Sequence, residues 1–295
     1  MEKRVSMTTS QPARSELRQS DEKNLPFIEG EVFYCKKILG NATLDVLHPN
    51  NTYIPLEGHT VKIRDARPIR GELDLDKQGF VLIDHKSALS HLRDVQALDE
   101  PYHKEHLGII ADLSGADLVL PHLALYVRFA AKIGAPGSNE TMLPAVYLHL
   151  DYSEKSFLET VEFVLAKAGM AGKKYRRAAM FQTWRAVSEP PQDFPLTLTD
   201  GRSPKPGNTV ILDSIIGPPD ITGNIVETLL GTWSETDEWY YFSNMRESEL
   251  LVFKGFDTAY GHTQNVLHTS FDARAAQKNS KPRESIEARF IALWE

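Results

Sequence analysis

The chain has 295 residues, with 33 Lys+Arg against 40 Asp+Glu and 41% hydrophobic residues, enough to bury a sizeable core in one large domain or two small ones. A formal net charge of −7 leaves no basic surplus for a phosphate backbone or an anionic membrane surface, and the absence of long apolar runs argues against a membrane-spanning helix. Cys35 stands alone, so neither an intramolecular disulfide nor a multi-thiolate zinc or iron-sulfur site is expected, and a reducing, cytoplasmic compartment fits.

Residues 1 to about 25 lack the apolar core of a signal peptide and carry Glu2, Glu16, Asp21 and Glu22, unlike an acid-poor presequence. They read as a disordered tail preceding a single domain over residues 26–295. EVFYCKKIL and VKIRDARP read as strands, the second with Val61, Ile63 and Asp65 on one face. RGELDLDKQG is turn-like and leads into FVLIDH, a short apolar run that suits a buried strand. Residues 86–132 read largely as helical, in SALSHLRDVQAL and EPYHKEHLGIIADLSG, with Ser87 and Asp99 as candidate N-caps and Gly115 as a stop. Within that region PHLALYVRFAA returns to alternating, strand-like text, and KIGAPGSNETMLP follows as a loop.

Residues 154–172, EKSFLETVEFVLAKAGMAG, predict a helix with Phe157, Val161, Val164 and Leu165 on one stripe and Gly169 and Gly172 as stops. YRRAAMFQTWRAV, TVILDSII, EWYYFS, LLVFKGF, NVLHTSF and SIEARFIALW are then strand candidates separated by turns. This order predicts a mainly β fold with flanking helices (α+β), an antiparallel sandwich or jelly roll rather than a Rossmann fold. The glycine patterns of dinucleotide and P-loop sites and the Gly-x-Ser-x-Gly elbow are absent.

His149-Leu150-Asp151 lies in a candidate strand, where alternation projects His149 and Asp151 to one face and Leu148 and Leu150 to the other. An imidazole and a carboxylate so placed, completed by a distant histidine, form a two-His-one-carboxylate triad that leaves three positions of iron(II) open. With ten histidines such a pair is expected by chance about once, and the competing reading is a core His149 with Asp151 capping the next helix. His268, in NVLHTSFDAR, is the preferred third donor, over His262 in the loop-like TAYGHTQN. Arg283 and Ser285 share a face at the start of the last strand, where guanidinium and hydroxyl together suit one carboxylate; the alternative is a surface strand on which Arg283, Glu287 and Arg289 form exposed ion pairs. His103, Glu105 and His106 are clustered but lack zincin spacing, and a solvated helical face is expected for them.

TWRAVSEPPQDFPLTLTDGRS, EWYYFSNMRESELLVFKGFD, HTSFDA and PRESIEAR, supported by RDARP, LDLDKQGFVLIDHKSAL and YHKEHLGIIADLSGADLV, resemble the AsaB/CmcJ-like hydroxylase and desaturase family of microbial secondary metabolism, from about residue 30 to the C-terminus. The resemblance implies an oxidoreductase with a double-stranded β-helix core, dependent on iron(II), with 2-oxoglutarate and O2 as cosubstrates. It implies metal ligands at His149, Asp151 and His268 and a cosubstrate clamp at Arg283 with Ser285. Arg185, Tyr241 and Arg289 fall in family-like text without an assigned role, and each could meet a carboxylate or pack structurally.

The reaction so implied is oxidation of an unactivated C–H bond, by hydroxylation, desaturation or ring formation, with release of succinate and CO2. The expected partner is a small natural-product or amino-acid-derived substrate, with no nucleic acid and no membrane, and a homodimer is left open. Two other readings compete: a non-catalytic binding protein of the same fold, and a metal dioxygenase that does not use 2-oxoglutarate.

Overall fold

Two sheets face each other in the computed structural model of the chain, in which residues 24–90, 92–129, 145–205, 207–216 and 225–295 are described. In chain order the strands are β1 (Phe27–Cys35), β2 (Ala42–Asp45), β3 (Leu56–Asp65), β4 (Phe80–Asp84), β5 (Leu118–Phe129), β6 (His149–Leu150), β7 (Arg177–Ala186), β8 (Leu196–Thr199), β9 (Thr209–Ile215), β10 (Ile225–Gly231), β11 (Trp239–Tyr241), β12 (Glu249–Asp257), β13 (His268–Ser270) and β14 (Glu284–Trp294). The α-helices are α1 (Val95–Ser114) and α2 (Glu154–Lys167). The larger sheet runs β1-β3-β11-β8-β13-β6-β10-β9-β2 and the smaller β4-β12-β7-β14-β5. Pairing is antiparallel except for β11 on β3 and β2 on β9. This is the jelly-roll arrangement that the strand-rich second half predicts.

The smaller sheet is buried on both faces, and its strands divide their residues accordingly. On β7 and β14, Phe181, Ile286, Ala288 and Phe290 pack beneath Leu98, Tyr102 and Ile110 of α1. The alternate residues, Trp184 and Gln182 on β7 and Ser285, Glu287 and Arg289 on β14, turn to the other face, toward the larger sheet. There Trp184, Leu251 and Phe253 meet Leu198, Tyr240 and Val266. Helix α2 lays Phe157, Val161, Val164 and Leu165 against Met180, Phe256, Ile291 and Leu293; each such side chain stabilises by about 1.5–3 kcal/mol when fully buried. Ser153 and Ser156 form a capping box at its start, so Asp151 is not its cap, and Gly169 follows its end with φ of 73°.

Several expectations are corrected. The helical reading of residues 86–132 reduces to α1, preceded by turns and followed by β5. Asp94, not Ser87 or Asp99, is the N-cap, accepting from the Ala97 amide. Asp99-Glu100-Pro101 resembles a helix start, but the apolar face from Leu98 onward carries the helix through Pro101. His103 and His106 are buried beneath α1 rather than solvated, because they continue the stripe that faces Phe290. The tail and the loop KIGAPGSNETMLP lie outside the described residues, apart from Asn24 and Leu25, and Leu25 packs in the core beside Phe80 and Trp184. Among the described residues no helix is long and apolar enough to cross a membrane.

Candidate metal centre

β6 and β13 are neighbours, and His268 is the cross-strand partner of His149. Their ring centroids are 4.4 Å apart. Asp151 follows β6 directly, and its Oδ2 lies 3.4 Å from His268 Nε2. The donor atoms of His149, Asp151 and His268 all lie within 4.8 Å of one another, the one such group of three among the described residues. Donor atoms this close would hold a single metal ion between them.

Both imidazoles are oriented from behind. His149 Nδ1 lies 3.0 Å from the Tyr147 carbonyl and His268 Nδ1 lies 3.1 Å from the Val266 carbonyl. A carbonyl only accepts, so each Nδ1 carries a proton and each ring turns its Nε2 toward the site. Burial, with His268 alongside, pushes His149 down to about 4, which keeps it neutral and available as a ligand. Burial alone would push the Asp151 carboxyl up, but the Arg289 guanidinium, helped by His268, holds it well below the usual carboxylate range. Two imidazoles that turn Nε2 toward the site and one carboxylate oxygen are the donor set of the two-His-one-carboxylate triad, so the residues present fit iron(II).

Arg283 reaches the same interior from the facing sheet, at the start of β14. It is almost fully buried, lies over the Trp184 ring with its guanidinium carbon 5.6 Å from the centroid, and donates from Nη1 to the Phe194 carbonyl at 3.0 Å. Its Nε has no hydrogen-bond partner, and among the described residues no carboxylate forms an ion pair with it. Burial, with Arg128 adding to it, pushes this group down to about 9, against a smaller opposing pull from Asp193 and Glu287. Ser285 is buried two residues further along that face.

The other candidates go elsewhere. Arg185 is fully buried on the α1 side of β7, donating to Tyr102 Oη at 3.1 Å, to the His85 carbonyl at 2.8 Å and to the Glu247 carbonyl. Strand alternation therefore turns it away from the triad. Tyr241 packs on Phe271 among Leu148 and Leu150, on the opposite face of the larger sheet from His268, for the same reason. His262 lies in a surface segment 3.3 Å from Asp76. Arg289 does reach the triad, but as the partner of Asp151 at 2.7 Å and Glu287 at 2.9 Å. Arg283, Glu287 and Arg289 are thus buried, not an exposed ion-pair row.

Gln182, whose Nε2 donates to Asp151 Oδ2 at 2.6 Å and to Glu287 Oε1 at 3.2 Å, is the contact that the sequence reading misses. A lone amide in the apolar run AAMFQTW was the available signal, since buried polar groups seek partners.

Residues 38–293 match the family described as oxidoreductase/YMDC permease-like domain. The chain is similar to the hydroxylase/desaturase efuI of Hormonema carpetanum, at 26% identity over 92% of this chain and 96% of that protein. It is likewise similar to the Fe(II)/2-oxoglutarate-dependent dioxygenase nvfI of Aspergillus novofumigatus, at 26% identity over 80% and 83%. Its fold matches the solved structure of the iron and alpha-ketoglutarate-dependent endoperoxidase NvfI with a TM-score of 0.78, at 24% identity and over 91% of this chain and 98% of that one.

Proposed function

We propose that this chain, which belongs to the oxidoreductase/YMDC permease-like domain family, is an iron(II)- and 2-oxoglutarate-dependent oxygenase of secondary-metabolite biosynthesis. The observation that carries the reading is the placement, in one interior between the sheets, of the His149, Asp151 and His268 donor set with the buried Arg283 guanidinium, whose Nε has no partner. The relatives' printed names, hydroxylase/desaturase and Fe(II)/2-oxoglutarate-dependent dioxygenase, support the same reaction class.

When bound, iron(II) with 2-oxoglutarate and dioxygen supplies oxidation of an unactivated C–H bond, by hydroxylation, desaturation or ring formation, with succinate and carbon dioxide as coproducts. His149 and His268 present Nε2 lone pairs fixed by their Nδ1 contacts, and Asp151 adds one anionic oxygen. Arg283 receives the far carboxylate of 2-oxoglutarate, a bidentate task that a guanidinium performs and an ammonium does not. The Ser285 hydroxyl assists from the same strand face. Trp184, Leu198 and Phe253 line this interior with apolar surface and exclude water from it. The substrate is a small natural-product molecule, acted on in the cytoplasm. None of the three donors is lost, which disfavours a non-catalytic binding protein, and an orphaned Arg283 would be unexplained in an oxygenase that does not use 2-oxoglutarate.

The test is succinate formation by anaerobically purified protein given iron(II) and 2-oxoglutarate and then oxygen, beside the His149→Ala/Asp151→Ala double variant. Succinate from the wild type alone is expected. Absence of turnover together with absence of 2-oxoglutarate binding to the iron form would reject the reading.

A further inference from the structure

The carboxylate of Asp151 is held by a closed ring of buried side chains that neither the donor set nor the cosubstrate clamp requires. Arg289 Nη2 donates to Asp151 Oδ1 at 2.7 Å, while Arg289 Nε donates to Glu287 Oε1 at 3.0 Å. Gln182 Nε2 closes the circuit, donating to Asp151 Oδ2 at 2.6 Å and to Glu287 Oε1 at 3.2 Å. Gln182 and Arg289 are cross-strand partners on β7 and β14, so three of the four groups sit on one rigid sheet and the fourth, Asp151, arrives from the other. Arg289 is also held over the Tyr126 ring, 4.2 Å from its centroid, with Tyr152 Oη 3.4 Å from Nη1.

The two Asp151 oxygens are therefore not equivalent. Oδ2 faces His268 Nε2 at 3.4 Å, on the metal side. Oδ1 is committed to the guanidinium, the stronger, charge-assisted bond. Glu287 has a counterpart role: its Oε1 accepts from both Arg289 Nε and the Gln182 amide, fixing the two donors that hold Asp151. Without it, Gln182 and Arg289 would each lose a buried partner.

The backbone makes room for this arrangement. β12 changes register between Lys254 and Phe256, leaving Gly255 outside the ladder. A Cβ on Gly255 would stand 2.8 Å from Gln182 Oε1 and 2.9 Å from the Met180 side chain. The bulge glycine thus leaves the space in which the amide turns its NH2 toward Asp151, at the expense of an Oε1 with no partner. Leaving that buried acceptor unsatisfied has an energetic cost, which the two bonds made by the NH2 end offset.

We propose that Arg289, Gln182 and Glu287 are positioning residues that hold Asp151 as a one-oxygen ligand through Oδ2, keeping the remaining metal positions free. This rests on the reading of the triad as an iron(II) site. Arg289 and Arg283, six residues apart in sequence on one strand face, then have separate tasks: the first orients a metal ligand and the second binds the cosubstrate.

The experiment compares anaerobic iron(II) affinity, by competition with a chelator, and 2-oxoglutarate affinity at saturating iron(II). The variants are Arg289→Gln/Glu287→Gln, which removes one buried charge of each sign, and Gln182→Leu, which removes only the amide and carries the test alone if the double variant does not fold. Iron(II) dissociation constants about 10–100-fold higher are expected for both, with 2-oxoglutarate affinity at saturating iron little changed. Arg289→Lys should recover part of the loss, and Gly255→Ala should reproduce Gln182→Leu. Wild-type iron affinity in the variants overturns the proposal, and so does a loss confined to 2-oxoglutarate, which would make Arg289 a cosubstrate ligand. A wild-type protein that binds iron(II) no better than His149→Ala/His268→Ala overturns the metal reading itself, and this proposal with it.

Discussion

Arg283 lies over the Trp184 indole, its guanidinium carbon 5.6 Å from the ring centroid, with its Nε buried and unpaired. The aromatic face and the Phe194 carbonyl offset part of the desolvation of this cation, but neither is an anion. A buried charge without a counter-charge destabilises a fold by an effective penalty of several kcal/mol. That cost falls when an anion pairs with the guanidinium, which is the property a carboxylate-binding arginine needs.

Arg283→Met should therefore leave the unfolding temperature of the cosubstrate-free protein unchanged or raise it, because it removes the unpaired charge while keeping the packing on Trp184. At 2-oxoglutarate concentrations near one hundred times the wild-type dissociation constant, wild-type protein with iron(II) should gain about 2.7 kcal/mol, and the variant should gain nothing. Thermal unfolding with and without 2-oxoglutarate checks both halves. A destabilised variant that still responds to 2-oxoglutarate would move the clamp away from Arg283.

The triad was legible because period-two alternation in a strand is strict: His149 and Asp151 had to share a face, and His268 lay in text that alternated equally well. Arg283, with Ser285 two residues on, followed from the same rule. By the same rule Arg185, adjacent to Trp184, faces the helix side once Trp184 lies inside the sandwich. What sequence alone does not supply is the pairing between strands far apart in the chain. Gln182 shows locally only as a lone amide in an apolar run and Glu287 shows no signal, and their meaning appears only when β7 lies against β14 with Asp151 facing both. α1 failed for a different reason: the Asp-Glu-Pro text that suits a helix start lost to the burial of Leu98 and Tyr102 on the small sheet.

Lys254 tests how the fold holds His268. Its Nζ is fully buried and donates to Asp257 Oδ2 at 2.6 Å, to Asp76 Oδ1 at 2.7 Å and to the Thr263 carbonyl at 3.1 Å. Its own carbonyl accepts from the Val266 amide at 3.2 Å, and the Val266 carbonyl in turn accepts from His268 Nδ1. Lys254→Met should cost on the order of 3 kcal/mol, since Asp257 remains buried with Arg177 as its remaining cation. Iron(II) affinity should fall in the same variant, because the segment that orients His268 loses its anchor. Denaturant unfolding and chelator competition measure the two effects, and a fall in stability with unchanged iron affinity would separate the buried ion network from the metal centre.

His106 sets a pH dependence that can be separated from the metal. It lies fully buried under α1, its Nδ1 donating to the Tyr102 carbonyl at 2.6 Å while Nε2 has no partner. Burial, with Arg185 nearby, pushes it down to about 4, against about 6.5 for the unfolded chain. A depressed histidine favours the neutral form in the folded state, so its contribution is fully present above pH about 6.5 and is lost as pH falls toward about 4. At pH 5 the loss is about 2 kcal/mol relative to neutral pH. His122, pushed down to about 4 by burial and Arg289, adds a loss of the same sign. Urea unfolding of metal-free protein at pH 7 and pH 5 should show the drop, and His106→Leu should recover about 2 kcal/mol of it. An identical pH dependence in the variant would mean that His106 gains a proton without opening the helix-sheet contact.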